Sequence, residues 1–530
     1  MLISGLPDLI HILPLILYAE THFRIPGLFS LLYKKQPEIL VDVPHRLQQG
    51  QDLPVLLLIK DSHRFPVLLE KLTVRIAEQT WTYPLNEPVD RPLWHRLFHL
   101  QKIPVESGRA TVEAVVQARI NGRRHVIHSD NFNRAGHNSF TVQVDEEALP
   151  GSERCLWTDL HCHSAYTDNQ VEFGPPLPAL LAMAKAIGLG AVAVTDHSFD
   201  LDDQADNYLA VDAELGKWRA LHEEVQALNA ANEIKIICGE EVSIGNRRGK
   251  NVHLLILNDS TFYHGSGDSG ENWPQIRPQE AVAQVLRRLS PQAAAFAAHP
   301  EAQPPWPQRL VLGRAKWSRE DYTTPGLHGL QIWNGEGASG WKDGLPTWVQ
   351  QLLAGRRLAI IGGNDSHGDF NRVRHVRVPF WSVLESTHHV FGAVRTGLYG
   401  PPPWSIDRMV SALQAGRCLV SNGPFAQLWV DGRSSGETVL GSAGTLKIIA
   451  TSSAHFGFLN RIDLIIGDCQ KKQEVQRSLA VPPACLHFEK ELTDEVLPRR
   501  GYVRLQVSSD TGQRRCQCLT NAVYLGVRTA

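Results

Sequence analysis

From about residue 151 to 424, short apolar runs alternate with helical stretches, and an imidazole or carboxylate stands at the edge of most runs. The runs are 156–160, 191–195, 234–238, 252–257, 294–298, 329–333 and 358–361. Helical patterns separate several of them: 177–187, stopped by Gly188, then 213–231 and 278–289. Strands alternating with helices predict a parallel α/β sheet or barrel. Seven such runs are enough to line one barrel.

The flanks differ in texture. At 530 residues the chain is too long for one compact domain. Residues 1–150 open on an apolar segment at 9–19 (LIHILPLILYA) and continue with strand-like runs at 54–60, 69–76 and 110–118. Turns such as Asn121-Gly122 separate the runs, which predicts an antiparallel sheet or sandwich. Residues 425–530 return to short β-rich runs at 426–430, 445–450, 461–466, 502–507 and 522–527, a second β-sandwich-like region. The Gly/Ser-rich segment 263–272 reads as a mobile loop.

Composition excludes some functions. The apolar N-terminal segment lacks a basic leader, carries Asp8, His11 and Pro14, and is too short to span a bilayer. It reads as a helix packed on the body, and a soluble cytoplasmic protein is expected. Eight cysteines without a CxxC pair read as reduced thiols. A formal net charge of -2 gives no strong nucleic-acid signal and leaves a small-molecule substrate as the expected partner.

The chemistry collects at the run edges. His161, His163 and Asp168 follow the first run; Asp196 and His197 follow the second; Glu240 and Glu241 follow the third. His299 follows the run 294–298, and Asp365 and His367 follow 358–361. The C-terminal ends of barrel strands are where such folds gather an active site. His161 and His163, separated by one residue, point to the same side of an extended segment. His253 is an exception, since it precedes most of its apolar run. Imidazoles with carboxylates, and no required cysteine, suit zinc, manganese or iron better than calcium.

The stretch 158–168 (TDLHCHSAYTD) resembles the first motif of the PHP (polymerase and histidinol phosphatase) superfamily. Thr195-Asp196-His197, Gly239-Glu240-Glu241, Ala298-His299-Pro300 and 363–367 (GNDSH) resemble the others in the family's order. Thr167-Asp168-Asn169 stands where Ser-Asp-Gly is common. The segment 416–425 (GRCLVSNGPF) and Leu519-Thr520-Asn521 are similar to the CehA/McbA-like branch of metallohydrolases. The resemblance implies a distorted (β/α)7 TIM-like barrel at 151–424, flanked by β-sandwich-like regions at 1–150 and 425–530. It also implies two or three divalent metals. One would be held by His161, His163, Glu241 and Asp365. A second would share Glu241 and add His253 and His299. A third would use Asp168, His197 and His367. Of the adjacent acids, the family pattern makes Glu241 the bridge, and alternation along a strand turns Glu240 away.

The function expected from this resemblance is metal-dependent hydrolysis, first of a phosphoester in a small molecule or nucleotide. Divalent cations acidify a water and clamp phosphoester oxygens. The alternative is a carbamate, ester or amide hydrolase with the same metals, and a third reading is a non-catalytic, metal-stabilised binding protein. Arg247, Arg248, Lys250, Arg372 and Arg374 lie near the motifs, as phosphate receivers or as solvated loop residues. Asp159 and Asp196 neighbour the histidines, to orient imidazoles or to cap turns.

Overall fold

Sheet dominates the molecule, and helices serve mainly to cover it. A computed structural model describes residues 36–131, 139–168, 174–205, 207–265, 267–269, 276–304, 306–337, 340–372, 375–378, 381–384, 388–440 and 443–526. The apolar segment 9–19, part of the loop 263–272, and Arg374 lie outside the described residues. No described helix is long and apolar enough to cross a membrane.

The N-terminal region is two antiparallel-rich sheets over one core. One sheet pairs Glu38–Asp42, Leu53–Lys60 and Leu93–Leu100. The other is built on Val67–Ile76, Gln79–Val89, Gly108–Ile120, Arg123–His128 and Phe140–Asp145, with Arg46–Gln48 at its edge. Alternation explains the arrangement: along Gly108–Ile120 every second residue from Ala110 to Ile120 is buried, and those between are more exposed. Ile39 and Leu57 from the first sheet join Val74 and Val116 from the second in a single cluster.

The central strands form part of one 15-stranded mixed sheet. Cys155–Cys162, Ala191–Val194 and Lys235–Gly245 run parallel, as do Ala294–Ala297, Gly329–Asn334 and Ala359–Gly363. Asn251–Leu257 lies between these two sets and is antiparallel to both neighbours. Ala191–Val194 and Asn251–Leu257 are buried throughout, which accounts for unbroken apolar runs in place of alternation. The helix Leu177–Ile187 ends at Gly188, whose φ of 90° is the left-handed cap that glycine tolerates best. The sequence placed the next helices too early: they are Gly216–Ala231 and Val282–Arg288.

Among the described residues the sheet does not close into a barrel by a continuous ladder. The ends of Ala359–Gly363 and Cys155–Cys162 meet through backbone bonds beyond the strand: the N–H groups of Asn364 and Asp365 donate to the His161 carbonyl, and His163 N–H donates to the Ser366 carbonyl. Gly363 makes the approach feasible, since a Cβ there would lie 2.8 Å from the His161 nitrogen.

The same sheet continues past residue 424. Cys155–Cys162 pairs with Arg395–Tyr399, which pairs with Cys418–Ser421, which pairs with Arg515–Thr520 near the C-terminus. A separate three-stranded sheet, Phe425–Val430, Ala443–Thr451 and His487–Val496, contributes to the same apolar cluster as Gly501–Asp510. Asn521 pins the seam. Its Oδ1 accepts from Ile360 N–H at 2.7 Å, and its Nδ2 donates to the carbonyls of Ile360 and Cys418 at 2.9 and 3.1 Å.

Candidate metal centre

Glu241 lies at the middle of a cluster of imidazoles, and it is fully buried. It stands inside the strand Lys235–Gly245 and not beyond its end, because that strand outruns its parallel neighbour and continues beside Asn251–Leu257. Its Oε2 faces the Nε2 atoms of His161 and His163 at 3.3 and 3.4 Å, and His197 Nδ1 at 3.1 Å. Its Oε1 faces His253 Nδ1 at 2.6 Å and His299 Nε2 at 3.1 Å. Asp365 Oδ1 closes one side, 3.3 Å from His161 Nε2 and 3.1 Å from His163 Nε2.

The antiparallel strand explains His253. Because Asn251–Leu257 runs against its neighbours, its beginning lies at the edge where theirs end, opposite Ser243. A histidine ahead of its apolar run therefore reaches the same place as histidines that follow theirs. His299 and Asp365 have φ values of 30° and 53°, a region that costs a non-glycine residue about 1–3 kcal/mol. Both strained residues face Glu241 or its partner histidines.

Three sets of donor atoms lie close enough together to hold a cation: His161, His163, Glu241 and Asp365; His197, Glu241 and His253; and His163, His197 and His367. A test of fit comes from the buried polar atoms. His161 Nε2, His197 Nδ1 and Glu241 Oε2 make no hydrogen bond among the described residues. Buried polar atoms ordinarily have partners, and divalent cations held by the sets that share Glu241 would supply them. Electrostatics agree. Burial disfavours a charged Glu241, but His253, His161 and His197 outweigh it and hold the carboxyl well below its usual range. Burial likewise opposes a charged His163, yet Asp365 and Glu241 hold it up at about 10. Metal and proton would compete for these nitrogens.

The adjacent acid is different. Glu240 turns to the other side of the strand, where it accepts from Ser198 Oγ and Trp218 Nε1, both at 3.1 Å. Burial pushes its carboxyl up to about 8.

Several outer contacts were not foreseen. Gln331 Oε1 lies 2.9 Å from His161 Nδ1. An acceptor there keeps the proton on Nδ1 and leaves the Nε2 lone pair for the centre. Gln331 Nε2 donates to Asn334, and Asn334 Nδ2 donates to Asp365 Oδ2 at 3.2 Å, so one chain of amides orients two donors. Asp268 Oδ2 lies 3.1 Å from His253 Nε2 and takes Arg314 Nε at 2.6 Å. Asp268 is buried, although its loop read as mobile. A lone glutamine and a loop aspartate carry no sequence signal of such a role. Gln331→Leu should weaken metal affinity about 10–100-fold, and Gln331→Glu should retain most of it. Metal titration against a competing chelator measures this, and wild-type affinity in the leucine variant would remove Gln331 from the account.

Some residues do not join the cluster. Asp168 is ion-paired with Lys60 from the N-terminal region and its side chain is 42% exposed. His163 takes its place beside His197 and His367. Asp159 and Asp196 do not orient imidazoles. Asp159 accepts from the His161 and Gly392 N–H groups and from Asn364, while Asp196 accepts from the Ser164 N–H and hydroxyl. Arg247, Arg248 and Lys250 are exposed on a turn away from the cavity. Arg372 is buried against Asp369 and Asp130 and also lies off the cavity.

A cavity of about 540 Å³ opens onto the centre. Glu241, His253, His299, Asp365 and His367 form its floor, and Pro300, Trp317, Ile332, Gln303 and Gln308 contribute to its walls.

No known protein-family model and no curated protein matches the chain. Among solved structures, a β-glucuronidase of Parabacteroides merdae and β-glucuronidase 3 of Bacteroides uniformis are each 9% identical, with a TM-score of 0.17. Each match covers 94% of this chain and 64% of the other, so the chain spans less than two thirds of their length. A likeness of that size carries no argument about fold or function.

Proposed function

We propose that the protein is a metal-dependent hydrolase of the PHP type, its central region a distorted (β/α)7 barrel whose ladder is interrupted where His161 meets Asp365. The reading rests on one observation above the rest: the two oxygens of Glu241 face separate sets of imidazoles. A carboxylate so placed can join two cations. Zinc, manganese or iron suits the donor set. Bound there, such ions supply Lewis acidity and an acidified water.

The chain's own residues do the rest. Glu241 and Asp365 stay ionised and gather the histidines. Gln331 and Asp268 fix the imidazoles of His161 and His253. The cavity wall positions the substrate over this floor. His389 lines it and places Nδ1 2.6 Å from the Asn364 carbonyl, which fixes the ring at the cavity edge.

A phosphoester is the first substrate class, because paired cations can clamp its oxygens. One observation favours the second class, a carbamate, ester or amide. Among the described lining residues Arg314 is the single arginine or lysine, and Asp268 already takes its Nε. The phosphate receivers foreseen at Arg247, Arg248, Lys250 and Arg372 lie elsewhere, and Arg374 is outside the described residues. A less charged substrate suits that wall. The manganese- or zinc-loaded protein should be assayed on phosphomonoesters, phosphodiesters, aryl esters and carbamates. Phosphoester turnover inhibited by inorganic phosphate supports the first class, and turnover of carbamates or esters alone supports the second. No hydrolysis of any of them by fully loaded protein counts against both.

A further inference from the structure

Arg395 is a buried cation with no ion-paired acid among the described residues. It is 3% exposed, at the start of the strand Arg395–Tyr399. Its Nη1 donates to the Gly392 carbonyl at 2.9 Å, but Nε and Nη2 make no hydrogen bond among the described residues. The guanidinium lies against the rings of Phe456 and Trp157, with centroids 5.3 and 5.7 Å away. Ring faces attract a cation but do not satisfy its N–H groups.

The surroundings are basic. His45 and Arg46 come from the N-terminal region, and His455 and Arg514 from the C-terminal one. Arg395 lies against Phe456, on whose ring His455 stacks, and His455 and Arg46 both pair with Asp145, so a chain of contacts joins the three regions here. Burial first, then the charges of Arg395, Arg514, Arg46 and His455, push His45 down to about 3, so its imidazole is neutral. Its Nδ1 is buried without a partner. Among the described residues two carboxylates are near, and both are engaged. Asp145 accepts from Arg46 and His455, and Glu336 from Arg514 and Asn422. The thiol of Cys516 cannot supply the missing charge, because burial holds it protonated. Among the described residues three guanidiniums thus meet two carboxylates, and the one without a carboxylate is buried in the central region.

We propose that this junction of the three regions binds one small oxyanion, held by Arg395 Nε and Nη2 and His45 Nδ1. An isolated buried charge is costly, and an oxyanion matches the fork of guanidinium donors. Arg514, paired with Glu336 and with its side chain 41% exposed, adds positive charge at the solvent side of the junction. None of these residues lines the cavity of the candidate metal centre. The ligand is a tetrahedral anion of the sulfate or phosphate type, or a carboxylate. Held by Arg395 of the central region and His45 of the N-terminal one, it would tie these two together.

The test uses full-length protein stripped of metal with a chelator, so that anions cannot bind through cations at the other centre. Radiolabelled sulfate is measured by equilibrium dialysis, and unfolding midpoints are compared in sulfate, phosphate, acetate and chloride at matched ionic strength. About one equivalent of sulfate should bind, with a rise in Tm of about 2 °C or more over chloride. Acetate matching sulfate would assign the site to carboxylates, and sulfate or phosphate alone would assign it to tetrahedral anions. Arg395→Met should lose the binding. Should that variant not fold, Arg514→Gln, which removes a positive charge at an exposed position, should weaken sulfate about tenfold. The proposal is overturned by absence of bound anion and of any anion-dependent Tm in the stripped wild type, or by undiminished binding in the variants that fold.

Discussion

Glu241→Gln should leave a protein that folds but holds almost no metal and turns over at least about 100-fold more slowly, the scale on which loss of one transition-state stabiliser is felt. The amide is neutral, and one of its two ends is a donor, so it cannot present an oxygen to each of the two imidazole sets that the carboxylate faces. Glu240→Gln should behave oppositely. That acid points toward Ser198 and Trp218, and its pKa of about 8 means that it is largely neutral already at pH 7. Metal content should remain, with turnover within a few-fold of the parent. Elemental analysis and initial rates on both variants decide the matter. A metal-poor Glu240→Gln beside a metal-replete Glu241→Gln would mean that the strand register is wrong by one residue.

Metal stoichiometry should divide along the two oxygens of Glu241. The parent protein, loaded with manganese or zinc, should hold more than one equivalent. His161→Ala and Asp365→Ala each remove a donor from the Oε2 side, and His253→Ala removes one from the Oε1 side. Each variant should lose about one equivalent and keep a remainder. Truncating a donor also leaves the facing charges buried and unpaired, so folding should be checked by circular dichroism alongside. Parent protein that takes up no metal after loading would remove the basis of the proposed function.

Much of the centre was legible because its donors stand beside apolar runs, and a strand delivers its flanking residue to a fixed edge. His161, His163, His197, Glu241, His299, Asp365 and His367 meet for that reason. His253 looked misplaced only because sequence alone does not tell which way a strand runs. Asp168 was placed in the cluster by resemblance, but Lys60, distant in sequence, draws it aside. Gln331 and Asp268 were missed because an outer contact needs only one well-aimed polar atom, which no residue pattern announces. The basic residues failed as substrate contacts for a related reason: nearness in sequence to a ligand says little about which side of a loop faces the cavity. The β-rich flanks were legible from alternation, as in Gly108–Ile120, but the pairing of Cys418–Ser421 with Arg515–Thr520 was not, since pairing partners almost a hundred residues apart leave no local mark.

That pairing bears on how the protein could have been assembled from parts. A boundary drawn at residue 424 looks like a clean seam in the chain, yet a fragment ending there would present the bare N–H and C=O groups of Cys418–Ser421 to solvent and leave Ile360 without the Asn521 side chain. An open edge of this kind recruits other strands, including copies of itself. The C-terminal region is therefore no detachable accessory, and an exchange of modules between related chains would have to carry both sides of the ladder together.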